Sequence, residues 1–405
     1  MSVSSSVAPS PTPSWEFDSY GQRLFIAFVI FCIFISGIFG NGLVIISVFL
    51  SRRLRNVTNV FVVNLAFADF LVCLFSPATI IALVSPEKWP FRSEFFCSAA
   101  SMVVYVTIGV SLYNLASIAI NRYILITRPV ETYQFIFGRK YVVITWIVLL
   151  WLVPGFLVIL PVVLGISKLG YNSKYHSCSD AEVDVKSENH NELEKLYDAV
   201  LLFGLFPIPT IVLIVSYWKI YKHVLRHSKR LEASKDESEA LSMTNESKGT
   251  TRTTDDTGNL SESNSYASLP RSNGIEETES KEGAEAKVPK KKKKTKRKKT
   301  VKSNLSRRQV EITKNLFYVL CAFLVCITPY LILLVFDDDG PLAPVAPYAA
   351  CCLMINNCIN WIIYATKHPH FKVVFRCILT CKWREIPEPA DWLRDRGEGS
   401  LCPCC

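Results

Sequence analysis

The sequence predicts an all-α membrane protein, a bundle of seven transmembrane helices followed by a short amphipathic eighth helix. Three observations carry that prediction. Half of the 405 residues are hydrophobic and the mean hydropathy is +0.25, too apolar for an ordinary soluble protein. The apolar residues fall into seven blocks, about 24 to 50, 57 to 84, 97 to 127, 141 to 164, 198 to 222, 312 to 336 and 343 to 366. Each block meets the roughly 20 residues needed to cross a hydrocarbon core about 30 Å thick. Finally, Lys and Arg collect in alternate connectors.

That alternation sets the orientation, because basic connectors stay in the cytoplasm. Arg52, Arg53 and Arg55 lie between spans one and two, Arg122, Arg128, Arg139 and Lys140 between three and four, and a basic run between five and six. The opposite connectors hold Glu87 and Glu94, an acidic cluster from Asp180 to Glu194, and Asp337 to Asp339. With seven spans the N-terminus is expected outside a plasma membrane. Residues 1–23 are polar and Pro/Ser-rich, so they read as a disordered outer tail without a cleavable signal, and span one directs insertion. The Asn-X-Ser/Thr sequences at Asn56, Asn245, Asn259 and Asn304 then face the cytoplasm and are not expected to carry glycans.

Residues 24–226 hold the first five spans. Residues 227–307 are rich in Ser, Thr, Glu and Lys and end in the run Lys290 to Lys299, which reads as a disordered third cytoplasmic loop with many phosphoacceptors. Its basic run is expected on anionic lipid, at about 1 kcal/mol per residue, rather than on nucleic acid. Residues 308–366 hold spans six and seven, 367–381 the amphipathic helix, and 382–405 a cytoplasmic tail.

Seven of the fourteen cysteines, Cys32, Cys73, Cys321, Cys326, Cys351, Cys352 and Cys358, fall inside spans and read as small apolar side chains. Cys97 and Cys178 stand on the oxidising face, where a bridge would pin the second outer loop over the bundle mouth. Cys377 and Cys381 beside the amphipathic helix, and the terminal cysteines from Cys402, are acylation candidates. Within the spans, Asp69 is an ionisable group at mid-helix and therefore a functional candidate. Arg122 ends an apolar helix between Asn121 and Tyr123.

Gly40-Asn41, the run Leu65 to Asp69, Cys97 with Cys178, Asn121-Arg122-Tyr123, Trp146, Pro209 with Tyr217, Cys326 with Pro329, and Asn360 with Tyr364 occur in one order on successive spans. That ordered set resembles the rhodopsin-like G-protein-coupled receptors over nearly all of residues 24 to 381. The stretches Ser117 to Tyr123 and Tyr171 to Cys178 are most similar to melatonin receptors and neighbouring orphan receptors.

The resemblance implies that Arg122 is released on activation and joins Tyr217 and Tyr364 to shape a cavity for a heterotrimeric G protein, Gi/o by analogy with melatonin receptors. Receptor kinases and arrestin are further implied partners. Most members carry Asp where this chain has Asn121, and an acidic group near the base of span six where it has Gln309, with Glu311 two residues on. Weakened restraint of the resting state, or a resting state held differently, is therefore expected. Asp69, Ser111, Asn356 and Asn360 match the family's sodium pocket; no other cofactor is implied.

For the ligand, Val104 stands where amine receptors have Asp, which argues against a monoamine. Gly155, Gly170 and Leu205 replace an amide residue, a glutamine and a histidine of melatonin receptors. The remaining matched pocket positions, Tyr105, Ile108, Leu201, Ile327, Tyr330, Leu334 and Met354, are largely apolar, so a weakly polar or lipid-like ligand is expected; melatonin and peptide ligands are the alternatives within the class. Ile327 replaces a tryptophan, and Trp361 replaces the proline that usually follows Asn360. A secondary transporter is the alternative outside the class, but no inverted repeat relates the halves. No nucleophile–base set converges for an enzyme, and the six histidines lie almost entirely in loops and tails.

Overall fold

The computed structural model describes residues 17–86, 88–181, 196, 203–247, 314, 317–333 and 343–395. Its long helices are α1 (Tyr20–Leu50), α2 (Val57–Val84), α3 (Phe95–Thr127), α5 (Lys140–Val163), α6 (Pro207–Ser247), α7 (Phe317–Leu333) and α8 (Ala346–Lys367), which correspond to spans one to seven. A short α4 (Val130–Phe137) lies between α3 and α5, and α9 (Pro369–Leu379) and α10 (Asp391–Asp395) follow α8. All but α7 among the seven are long and apolar enough by themselves to cross a bilayer. Two compact units are present, one comprising residues up to His223 and from Gln309 onward, the other Val224–Arg308.

Within the first unit α3 packs on α2 and α5, and α1 packs on α2 and α8. The sorting of side chains follows the solvent. Phe25, Phe28, Phe39 and Phe49 of α1 point outward, whereas Gly37, Gly40, Asn41 and Ser47 are buried against neighbours. Without water to drive helices together, small inward residues bring backbones close and maximise van der Waals contact. A Cβ on Gly40 would lie 2.1 Å from the Trp361 ring, which sits against this glycine and donates Nε1–H to Ser36 Oγ at 3.3 Å. Trp361 is thus accommodated by the absence of a side chain opposite it. The N-terminus of α2 is capped by the Asn56 side chain, which accepts from the Asn59 N–H at 3.0 Å.

One end of the bundle is covered by an antiparallel hairpin, β1 (Lys168–Asn172) and β2 (Ser177–Ala181), with Tyr171 opposite Cys178. A disulfide joins Cys178 to Cys97 at the start of α3, and Trp89, Ala78, Ala82 and Ala100 pack around it. The expected outer tail ends earlier than residue 23. Phe17 is 1 % exposed, its N–H donates to Lys174 O at 2.9 Å, and its ring meets Tyr348 edge-on. The apolar burial of Phe17 offsets the entropy of ordering these residues, and α1 then begins at Tyr20.

The opposite end, which carries Arg122, also departs from expectation. Helix α6 runs to Ser247, past the boundary drawn at residue 226. No Gly or Pro interrupts the chain between Pro209 and Ser247, and Leu, Ala, Glu and Lys favour helix there; the rest of the third loop lies outside the described residues. Helix α9 buries Phe371, Val374, Phe375 and Cys377 and stops in a Schellman turn. Cys381 adopts φ 55°, the Lys382 N–H bonds Cys377 O, and the Cys381 N–H bonds Ile378 O.

Beyond that turn the chain folds back instead of leaving as a tail. The Arg52 N–H donates to Glu388 O at 2.8 Å, the Ala390 N–H to Leu50 O at 2.9 Å, and Ser51 Oγ to Pro387 O at 2.6 Å. Ile386 and Ala390 are buried beneath this clasp. The Arg52–Asp391 ion pair at 3.0 Å is exposed on both sides and contributes little.

Candidate functional site

At its Arg122 end α3 presents Asn121 and Arg122 to the interior; Arg122 is 4 % exposed and Asn121 fully buried. Asn121 does not depend on an ion pair. Its Oδ1 accepts from Thr58 Oγ1 at 2.7 Å, and its Nδ2 lies 3.4 Å from the Tyr133 hydroxyl of α4. Arg122 has the phenols of Tyr217 and Tyr133 as electrostatic neighbours, and Tyr217 in turn neighbours Tyr364. Three of the predicted activation residues are therefore brought together. Tyr123 faces elsewhere, with the Arg128 guanidinium and Lys219 ammonium over its ring at 5.7 and 5.5 Å.

Aromatic contacts hold the two tyrosines. Tyr217 packs edge-on against Phe317 at 5.5 Å, and Tyr364 stacks on Phe371 of α9 at 5.6 Å. His368, between α8 and α9 and outside the membrane-spanning segment, caps α9 through Nδ1, which accepts from the Phe371 N–H at 3.4 Å. Burial, and then the neighbouring His370 and Arg122, bring the pKa of His368 down to about 3. The ring is neutral at physiological pH, as an accepting Nδ1 requires. Gln309 and Glu311 lie outside the described residues.

At mid-bundle Asp69 is wholly buried, and its Oδ2 accepts from Asn360 Nδ2 at 2.8 Å. Asp69 Oδ1, Asn356 Oδ1 and Asn360 Oδ1 are all buried without a hydrogen-bond partner. Neighbouring amides are better served. Asn114 bonds Phe61 O and Asn64, Trp151 bonds Asn64, and Trp146 bonds Ser117, tying α2, α3 and α5 together.

Toward the disulfide end Val104, Ile108 and Met354 line a small cavity together with Ser111 and Asn356. It joins candidate ligand positions to candidate ion positions. Its volume, about 20 Å³ at the centres of water-sized spheres, suits about one water molecule. Tyr105 hydrogen-bonds with the Tyr330 side chain and with the backbone of Asp180 in the loop. Leu205 is buried and approaches Gly109, whereas Ile327 lies in the central apolar core and does not line this cavity, although Phe323 and Leu353 of the same core do. Leu201 and Leu334 lie outside the described residues.

The lipidation candidates divide. Cys377 is 5 % exposed and packed into the core, which removes it as an acyl acceptor in this conformation. Cys381 is partly exposed, and Cys402, Cys404 and Cys405 fall outside the described residues. Reading the sequence missed Thr58 and Tyr133, which lie in hydrogen-bond range of Asn121, and His368, which accepts from the N–H of the Phe371 that stacks on Tyr364. A Thr at the start of an apolar span was the sole local signal for any of them.

A bundle of seven apolar helices, with a disulfide-pinned hairpin at one end and a buried Arg122 flanked by tyrosines at the other, defines a class of membrane receptor. Residues 40–364 match the model of the 7 transmembrane receptor (rhodopsin family), and the chain belongs to that family. Similar proteins include the G-protein coupled receptor moody of Drosophila pseudoobscura pseudoobscura, 27 % identical over 90 % of this chain and 53 % of its own length. The melatonin receptor type 1B-B of Danio rerio is 28 % identical over 57 % of this chain and 61 % of its own length. The chain thus spans about half the length of the moody receptors it matches. The crystal structure of squid rhodopsin shares the fold, with TM-score 0.62 and 18 % identity over 97 % of this chain and 98 % of that one.

Proposed function

We propose that the chain is a plasma-membrane receptor, oriented with the disulfide end outside, that couples a weakly polar or lipid-like ligand to a heterotrimeric G protein. The observation that carries this reading is the grouping of Arg122 with Tyr217 and Tyr364, Arg122 and Tyr364 buried and Tyr217 partly so. A partner inserting between α3, α6 and α7 would meet these groups only after the bundle opens, so a ligand that favours the open arrangement acts by shifting its population. Gi/o coupling follows the melatonin-receptor relatives, and receptor kinases and arrestin would act on the same opened face. The apolar positions Val104, Ile108 and Met354 support the ligand class.

A sodium ion fits the middle of the bundle. Asp69 would supply charge and, with Asn356, Asn360 and Ser111, oxygen ligands of the kind a hard cation takes; three of these oxygens are otherwise unpartnered. The ion would neutralise Asp69 and fasten α2 to α8.

The test is unliganded activation of a panel of Gα subunits in cells by the native chain and by Arg122→Ala at matched surface expression. A signal in one subtype that falls with the substitution supports coupling through Arg122. A signal unchanged by the substitution overturns that role.

A further inference from the structure

At the disulfide end Arg23 has no counter-charge among the described residues. Arg23, one turn into α1, is 4 % exposed. Its Nη1 donates to Ser85 O at the end of α2 at 3.1 Å, while Nε is buried without any partner. The Tyr20 ring lies 5.4 Å from the guanidinium carbon. Among the described residues no carboxylate pairs with it. A guanidinium has five N–H donors, and burying that charge without a counter-ion is costly.

Capping α2 accounts for a single one of those donors. A neutral donor could cap Ser85 O with less desolvation, so the cap alone does not explain a buried guanidinium. The residues just before α1 are fastened to the hairpin, through the Phe17 N–H bonded to Lys174 O. Burial pushes the Tyr171 hydroxyl up in pKa, and the charge of nearby Arg23 offsets part of that rise. One to two turns further along α1 the packing turns apolar. Ile26, Ile30, Leu83 and Val72 form one cluster with Met354, and Val72 and Met354 also line the small cavity.

We infer that Arg23 anchors the ligand's head group, binding the carboxylate or phosphate of an amphiphile whose hydrocarbon chain lies among α1, α2 and α8. The inference rests on the lipid-like ligand reading and sharpens it, since it demands a negative charge at one end of the molecule. Carboxylate and phosphate share the planar or forked oxygen pair that a guanidinium grips with two parallel hydrogen bonds.

The full-length receptor in phosphatidylcholine nanodiscs tests it by thermal unfolding. The probes are oleate, oleoyl lysophosphatidate, neutral monoolein, and free acetate or inorganic phosphate. The variants are Arg23→Gln and Arg23→Lys, each first checked for native-like surface expression. The expected result is a rise of several degrees with at least one anionic amphiphile on the native protein, absent in Arg23→Gln and partly kept in Arg23→Lys, with little effect of monoolein. Equal shifts by neutral and anionic amphiphiles, unaffected by Arg23→Gln, overturn the anchor and leave the lipid-like reading standing. No shift with any amphiphile overturns both. A shift with acetate or phosphate alone, lost in Arg23→Gln, keeps the anion site but overturns its assignment to a lipid head.

Discussion

Thr58 Oγ1 donates to Asn121 Oδ1 across the α2–α3 interface at 2.7 Å, with both residues buried. This bond occupies the place of the ion pair that an aspartate beside Arg122 would make, so under the proposed function the resting arrangement would be held by a neutral pair. A buried neutral hydrogen bond contributes about 1 kcal/mol. Thr58→Val should therefore raise unliganded G-protein activation about fivefold at matched surface expression. Asn121→Asp, which supplies a charge for Arg122, should lower it. An unchanged signal in both variants would show that Asn121 does not restrain the bundle.

The unpartnered oxygens of Asp69, Asn356 and Asn360 predict a specific salt effect. Replacing choline chloride by sodium chloride at constant ionic strength should raise the unfolding temperature of the purified native protein. Asp69→Asn, which keeps the shape and loses the charge, should abolish the difference. Equal shifts in both proteins would mean that sodium acts elsewhere.

The cap on α9 is expected to be pH-sensitive. His368 titrates near 3 in the folded protein, below its ordinary value of 6.5, so between those values the unfolded chain binds more protons. Its contribution is complete above about pH 6.5 and is lost as pH falls toward 3, at up to about 1.4 kcal/mol per pH unit. Protonation also removes the lone pair on Nδ1 that accepts the Phe371 N–H. Hydrogen exchange at Phe371 should accelerate between pH 6 and 4 beyond the intrinsic pH effect. His368→Asn, which caps without titrating, should flatten that profile.

The clasp makes a local prediction. Ile386→Asp places a carboxylate in an apolar site, and unpaired burial of such a group costs several kcal/mol. The segment should detach while the seven-helix bundle stays folded, and the Arg52 amide, bonded to Glu388 O, should exchange at least ten times faster. Protection of that amide equal to the native protein would show that the clasp does not depend on Ile386.

What could be read in the chain and what could not divides along physical lines. Hydropathy alone located the spans, because a bilayer demands a long, mostly apolar stretch and clustered charge marks where each one ends; α2 at Val57–Val84 agrees with the expected 57 to 84. The Cys97–Cys178 bridge followed from which cysteines topology leaves on one side. Phe17, Ile386 and the Thr58–Asn121 bond were illegible, because each owes its position to a partner far along the chain and leaves no periodic trace. The composition of residues 382–395, polar and proline-containing, reads as tail until Leu50, Ser51 and Arg52 are seen to receive it. For α6 the error was of another kind: charge density was taken for disorder, although those residues are good helix formers.

Gly40 and Trp361 bear on how this sequence can change over time. Any side chain at position 40 displaces the indole, and exchanging the indole for a smaller residue opens a void beside the glycine. Either step alone passes through a poorly packed intermediate, whereas the two together need not. The positions are thus expected to drift as a unit, and a descendant that loses the tryptophan should be found with a larger residue at position 40.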